Sequence, residues 1–207
     1  MSRIQRRTPG PGFFLFSILL VWLTMLIHEG AHWLTGTALG YDMYAGLSRS
    51  GLVSGNYSAD WHAQLVTLAG PAFTLTFGLF GAWAARARAW LIGYELAYVA
   101  FSQRLLALVI GTLAGVPNDE ARLSLALGLP FWALPVLVCS ILFVALVMAS
   151  RALRISWLTH GLMYVVISIG FTAIIMLDGQ GPGGDGCGVL SPWLPERLGC
   201  MPSVTGD

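Results

Sequence analysis

The sequence predicts an all-α, polytopic membrane fold with about five transmembrane helices. Composition is the first observation behind this. Of 207 residues, 56% are hydrophobic and 10% charged, and the mean hydropathy is +0.72, whereas a soluble domain carries about a quarter charged residues. The second is a set of five apolar runs, at about 12–38, 62–85, 89–115, 130–150 and 155–178, each near the roughly 20 residues that a helix needs to cross a hydrocarbon core. The third is tryptophan placement. Six of the eight tryptophans (Trp33, Trp61, Trp83, Trp90, Trp132 and Trp157) fall at the ends of those runs, where an indole finds apolar and hydrogen-bonding surroundings together.

Taken in order, the first run follows Arg3, Arg6 and Arg7. A basic start before an apolar stretch also describes a secretory signal, but Phe13 to Ile27 contains no small-x-small cleavage site, so the run reads as a retained span. Arg86 and Arg88 follow the second run, and Arg151 and Arg154 follow the fourth. In an alternating chain these seven arginines share one side, against Arg49, Arg122 and Arg197 on the other. That asymmetry predicts a cytoplasmic N-terminus and an external C-terminus. All eleven basic residues are arginine, the net charge is +1, and no basic cluster suggests nucleic acid as a partner. The lipid bilayer is the expected surroundings.

Between the first two runs, residues 41–60 are rich in Gly, Ser and Tyr, with strand-like stretches around Arg49 to Gly51. They predict a hairpin or re-entrant loop whose exposed edge can receive an extended segment, or a plain connection. After the third run, Asn118 is placed to cap a short helix that Gly128-Leu129-Pro130 ends. Residues 1–178 form one expected membrane domain, and 179–207 a Gly/Pro-rich tail of irregular structure. Cys187 and Cys200 in that tail form a disulfide if it faces an oxidising compartment, or remain two free thiols.

At the end of the first run stands His28-Glu29-Gly30-Ala31-His32. A HExxH pattern arises by chance in a chain of this composition with a probability on the order of 10⁻³. Four-residue spacing puts both imidazoles on one helix face, where they can share a zinc ion, with Glu29 beside them as general base for a metal-bound water. The bland alternative is a pair of interfacial histidines, but ionisable groups at membrane depth usually have a function. A catalytic zinc needs a third protein ligand. His28 lies about 24 Å along the first span, toward its exit face. Asp119, Glu120, Asp178, Asp42, Asp60 and His62 meet that face in the alternating topology, whereas Glu95 and His160 do not. Asp119 is favoured because it follows the cap Asn118, where helix-terminal amides favour an ionised carboxylate. His62 can serve the site from nearby or be structural. Glu95 and Arg104 are buried ionisable groups of the third span, on nearly opposite faces, so each needs another partner or a water-filled path.

With these residues in view, the chain resembles the site-2 protease family of intramembrane zinc metalloproteases, particularly its small bacterial relatives. HEGAH carries the resemblance, supported by Gly70-Pro71 in the following span and an acidic residue further along. The resemblance covers roughly residues 15–125, and only HEGAH is highly specific. It implies a zinc metalloendopeptidase of the bacterial inner membrane, acting on membrane-anchored proteins, with an aspartate as third ligand, often within Leu-Asp-Gly. Here Leu177-Asp178-Gly179 matches the tripeptide but ends the last span, while Asn118-Asp119-Glu120 lacks it but follows the third, so Asp119 is favoured and Asp178 is the alternative. The family's asparagine after Gly-Pro is Thr74 here. The family usually holds its zinc nearer the cytosol, opposite to the side the arginine count indicates. Outside this class, a non-enzymatic metal-binding protein or a small transporter using His28, Glu29, His32 and Arg104 as a polar path is the competing expectation.

Overall fold

The computed structural model describes residues 9–177. Six helices and one small hairpin follow in the order α1 (Pro11–Ala38), β1 (Met43–Ala45), β2 (Ser50–Leu52), α2 (Asp60–Arg88), α3 (Leu91–Ala114), α4 (Asp119–Ala126), α5 (Ala133–Leu153) and α6 (Trp157–Leu177). All but α4 are long and apolar enough to cross a membrane, so the architecture is that of a multi-pass membrane protein. Its outward faces agree. Leu15, Leu19, Leu113, Phe143, Leu158 and Ile169 are all exposed, an apolar exterior that only lipid would cover at low cost. The sequence boundaries hold to within about three residues at most helix ends.

Local chemistry starts and stops the helices. Pro11 opens α1 at a position where its missing N–H costs nothing. Gly115, at φ +67°, closes α3 while the Val116 N–H bonds back to the Gly111 carbonyl. Asn118 caps α4 as expected, its Oδ1 accepting from the Ala121 N–H at 2.9 Å. Ser156 does the same for α6, accepting from the Thr159 N–H at 3.1 Å.

Helix α2 is the hub, in contact with α1, α3, α4 and α5. It comes close to its neighbours because its inward stripe is small: Gly70, Thr74, Gly78, Gly81, Ala82 and Ala85. A Cβ at Gly81 would lie 2.6 Å from the Gly93 carbonyl oxygen, and one at Gly93 would lie 2.5 Å from that of Gly81. Between helices in lipid, where apolar burial gives no driving force, such backbone-to-backbone approach is how packing energy is gained. Tyr94, Val99, Leu142, Met163, Ile167 and Val21 fill the remaining core.

The hairpin is antiparallel, with Met43 opposite Leu52, Tyr44 opposite Gly51 and Ala45 opposite Ser50. Its buried Met43 occupies the notch left by Gly36 of α1, where a Cβ would meet the sulfur at 2.5 Å. The Trp33 indole N–H donates to the Met43 carbonyl at 3.1 Å. The last turns of α1 therefore carry the hairpin directly beside the HEGAH segment. Asp178, Cys187 and Cys200, and with them the tail disulfide, lie outside the described residues; Cys139 is a buried free thiol of α5.

Replacing Gly81 with leucine should separate α2 from α3, because the obstructing atoms are backbone and cannot swing aside. The expected loss is about 1–3 kcal/mol, readable as a lower unfolding midpoint in detergent. An unchanged midpoint would show that this approach contributes little.

Candidate metal centre

Seventeen residues of helix separate Pro11 from His28, about 26 Å of rise, so HEGAH lies in the far third of α1. His28, Glu29 and His32 are all buried there, at 2%, 6% and 6% exposure. The two rings stand edge to face, with centroids 4.8 Å apart. They press against α2 at Gly70, where a Cβ would collide with His32 Nε2 and lie 2.5 Å from His28 Cε1. Glycine at this position is a steric requirement of the site. The next residue, Pro71, has no N–H to give the carbonyl of Thr67, which lines the same cavity.

Each imidazole is held from behind. His32 Nδ1 lies 2.6 Å from the Val66 carbonyl oxygen, which can only accept, so that nitrogen carries the proton. Thr74 Oγ1 donates to the Gly70 carbonyl at 3.1 Å, which leaves its lone pair to accept from His28 Nδ1 at 3.0 Å. Both outer nitrogens thus spend their protons outward, and both Nε2 atoms turn lone pairs inward. Those two atoms are 3.3 Å apart.

The third member arrives from α4. Asp119 Oδ2 lies 3.2 Å from His28 Nε2 and 3.4 Å from His32 Nε2. The three donor atoms belong to one buried group that can hold a metal ion. All three are acceptors once the outer protons are placed, and three acceptors at this separation repel unless something positive sits between them. A proton or a metal ion meets that need, and two imidazoles with one carboxylate are a donor set for a metal. Burial by itself would raise the Asp119 carboxyl, and only a proton kept on an imidazole Nε2, or a cation in the same place, reverses this and holds it low. With such a positive charge between the three groups, Asp119 is the anion that a metal requires.

Glu29 shares the cavity, and Ser50 Oγ on β2 donates to its Oε2 at 2.9 Å. The cavity measures about 900 Å³. Ser50, Gly51 and Leu52 of the hairpin form one side of it, and Met25, Leu106, Ile110 and Phe171 give it apolar wall facing the helices. It is within the size range of ligand sites.

Of the sequence candidates, the structure brings together His28, His32 and Asp119, with Glu29 in the same cavity. Asp42, Asp60 and His62 are not part of that group. His62 instead bonds to Tyr41 at 2.6 Å and packs against Trp61, a structural role at the loop. Glu95 and His160 sit apart as expected: Ser17 donates to Glu95 at 2.9 Å, while His160 contacts Tyr94 and Ser150. Arg104 pairs with Glu120 at 3.0 Å, a partner that reading one helix face could not supply. Val66 was missed, and Thr74 was singled out only as standing where the family has asparagine, not as the partner of His28. The signal was available, because Val66, Gly70 and Thr74 repeat every four residues and so share the face of α2 turned to HEGAH.

Compared with protein-family models, curated proteins and solved structures, the chain shows no significant match to any of them. The functional reading therefore stands on the geometry and on the sequence.

Removing the Thr74 acceptor as Thr74→Val should free the His28 ring to turn and weaken metal binding about 10–100-fold with helix content unchanged. Metal titration of the purified protein reads this, and unaltered affinity would show that Thr74 does not set the ring. Asp119→Ala should abolish stoichiometric metal retention. Retention by that variant would remove Asp119 from the ligand set.

Proposed function

We propose that the chain is a membrane-embedded zinc metalloendopeptidase of the site-2 protease type, cleaving membrane-anchored protein substrates. The observation that carries this reading is the convergence of three outward-braced acceptors, His28 Nε2, His32 Nε2 and Asp119 Oδ2, at 3.2–3.4 Å from one another. Ligand bonds of about 2.0–2.1 Å in a tetrahedral zinc site place ligand atoms about 3.3–3.4 Å apart. The spacing fits zinc, and two-His-one-carboxylate sets are those of catalytic sites that leave one position open.

Bound there, zinc would supply Lewis acidity, making a water nucleophilic near neutral pH and polarising the scissile carbonyl. The chain's own residues do the rest. Glu29 takes the proton of the attacking water and delivers it to the leaving amine. A structural metal site has no need of such a base. Ser50, hydrogen-bonded to the Glu29 carboxylate, fixes which oxygen turns to the cavity. Val66 and Thr74 keep both imidazoles in the ligating tautomer.

The surroundings support the substrate class. A peptide bond inside a transmembrane helix is shielded by its own hydrogen bonds, so the substrate must be extended locally before it reaches the site. Among the described residues β2 pairs only with β1 and its three residues line the cavity, so its second edge offers an extended segment a strand to add to. The apolar wall from α1, α3 and α6 accommodates the part of a substrate that remains in the membrane. For localisation, Arg86 and Arg88 close α2 and Arg151 lies in the last turn of α5, which supports a cytoplasmic N-terminus with the metal toward the opposite face; the bacterial inner membrane is what the family resemblance implies.

In detergent, the wild type is expected to purify with one zinc and to cleave single-span protein substrates. Glu29→Gln should keep the zinc and lose on the order of 10²–10⁴-fold in rate. Chelation should abolish cleavage and zinc should restore it. Stoichiometric zinc in a wild type that hydrolyses no membrane substrate would overturn the enzymatic reading and favour a structural metal.

A further inference from the structure

Arg104 is a buried ion to which the chemistry above assigns no task. It lies on α3 at 5% exposure and lines the cavity that contains His28, His32 and Asp119. A guanidinium at such a place bears a large desolvation cost, and the sequence keeps it beside a second buried charge, Glu120 at 2% exposure. As a device for stability the pair is poor. Arg104 Nε and Glu120 Oε2 are both buried with no hydrogen-bond partner, and a well-packed apolar pair of similar volume commonly serves a core as well or better.

What distinguishes the pair is where its single donor atom sits. Arg104 Nη1 donates to Glu120 Oε1 at 3.0 Å and lies 3.9 Å from Asp119 Oδ2. That Asp119 oxygen is the one facing both imidazoles. One nitrogen therefore bonds to Glu120 and stands at ion-pair distance, beyond hydrogen-bond reach, from Asp119, its neighbour in the first turn of α4 and the candidate ligand. At eight residues, α4 is too short to hold its orientation through its own hydrogen bonds. The Asn118 cap defines where the helix begins, but not how its first turn is rotated about its axis. Two adjacent carboxylates facing the interior would also repel each other, and rotation toward the cavity mouth would relieve them at the expense of the ligand.

We propose that Arg104 is a positioning residue of the metal centre: by holding Glu120 through the nitrogen that also approaches Asp119, it sets the rotation of α4 and so aims Asp119 Oδ2 at the two imidazoles. This rests on the reading of His28, His32 and Asp119 as metal ligands. The role is separable from anchoring α4 to α3, because an apolar pair can anchor but cannot orient a carboxylate. Both contacts run through one nitrogen, so a lysine ammonium can reproduce them, whereas methionine cannot.

The test compares wild type, Arg104→Met with Glu120→Met together, and Arg104→Lys, in detergent. The double variant removes both charges, so neither is left unpaired and the fold is preserved; helix content and the unfolding midpoint of the metal-free protein verify this. Zn²⁺ titration measures affinity, and the visible spectrum of the Co²⁺-loaded protein reports the ligand geometry. The double variant should bind Zn²⁺ about 10–100-fold more weakly and give an altered Co²⁺ spectrum, while Arg104→Lys should stay within a few-fold of wild type and keep its spectrum. A folded double variant with wild-type affinity and spectrum would overturn the proposal and leave the metal site standing. Arg104→Lys binding no better than the double variant would also overturn it. A wild type that takes up neither ion would overturn the metal-site reading itself.

Discussion

The imidazoles of His28 and His32 lie against a stretch of α2 that has no side chain to put between them, and the organisation of the site depends on that approach. Gly70 has no Cβ to drive against the two rings. Without one, the Val66 carbonyl and the Thr74 hydroxyl come within hydrogen-bond reach of the two outer ring nitrogens. The rings are then fixed in position and in tautomer by neighbours four residues to either side of one glycine. A methyl group there would push both inward nitrogens out of register at once.

The same helix coordinates the rest of the bundle. Its small-residue stripe continues from Gly70 through Gly78 and Gly81, bringing α3 and α5 close. The close seating of α3 places Arg104 beside the site and delivers the chain, after Gly115, to the short α4 that carries Asp119. Polar groups in this interior have no bulk water to turn to, so each must find a fixed partner. Most do: Thr24 bonds to its own helix, Ser17 to Glu95, and Ser50 to Glu29. The polar atoms left without partners include Arg104 Nε, Glu120 Oε2 and Gln103 Oε1. Two of those three residues line the cavity of the candidate metal centre, where satisfying every atom has yielded to arranging the site.

The two ends of the bundle are chemically distinct. Around His160, Tyr94 packs edge-on and Tyr98 tilted against the imidazole while Ser150 bonds to its Nε2, a self-satisfied network near the end where Arg151 and Arg154 lie. The opposite end carries the hairpin, α4 and the cavity. Separating them keeps His28 and His32, the candidate metal ligands, away from the partly buried imidazole of His160, which is engaged in its own network.

The five spans were legible in the sequence because hydrophobic length and interfacial tryptophan are local properties, set by the bilayer and not by neighbouring helices. HEGAH was equally legible, since a four-residue spacing places two side chains on one face of any helix. The Asn118 cap was read from local signals for the same reason, whereas the stretch near Arg49 was left open between a hairpin or re-entrant loop and a plain connection, and the structure forms the hairpin. The third candidate ligand was not decided by sequence: Asp119 and five other groups met the same depth, and only the packing of α4 against α2 and α5 brings Asp119 Oδ2 to the imidazoles. The jobs of Thr74 and Val66, and the Arg104 to Glu120 pair across the α3–α4 turn, likewise required the folded chain. Spacing within a helix fixes angles about one axis, whereas a site built from three helices depends on how close and at what rotation their axes pass, and here that is decided by glycines whose meaning appears only when the neighbour is in place.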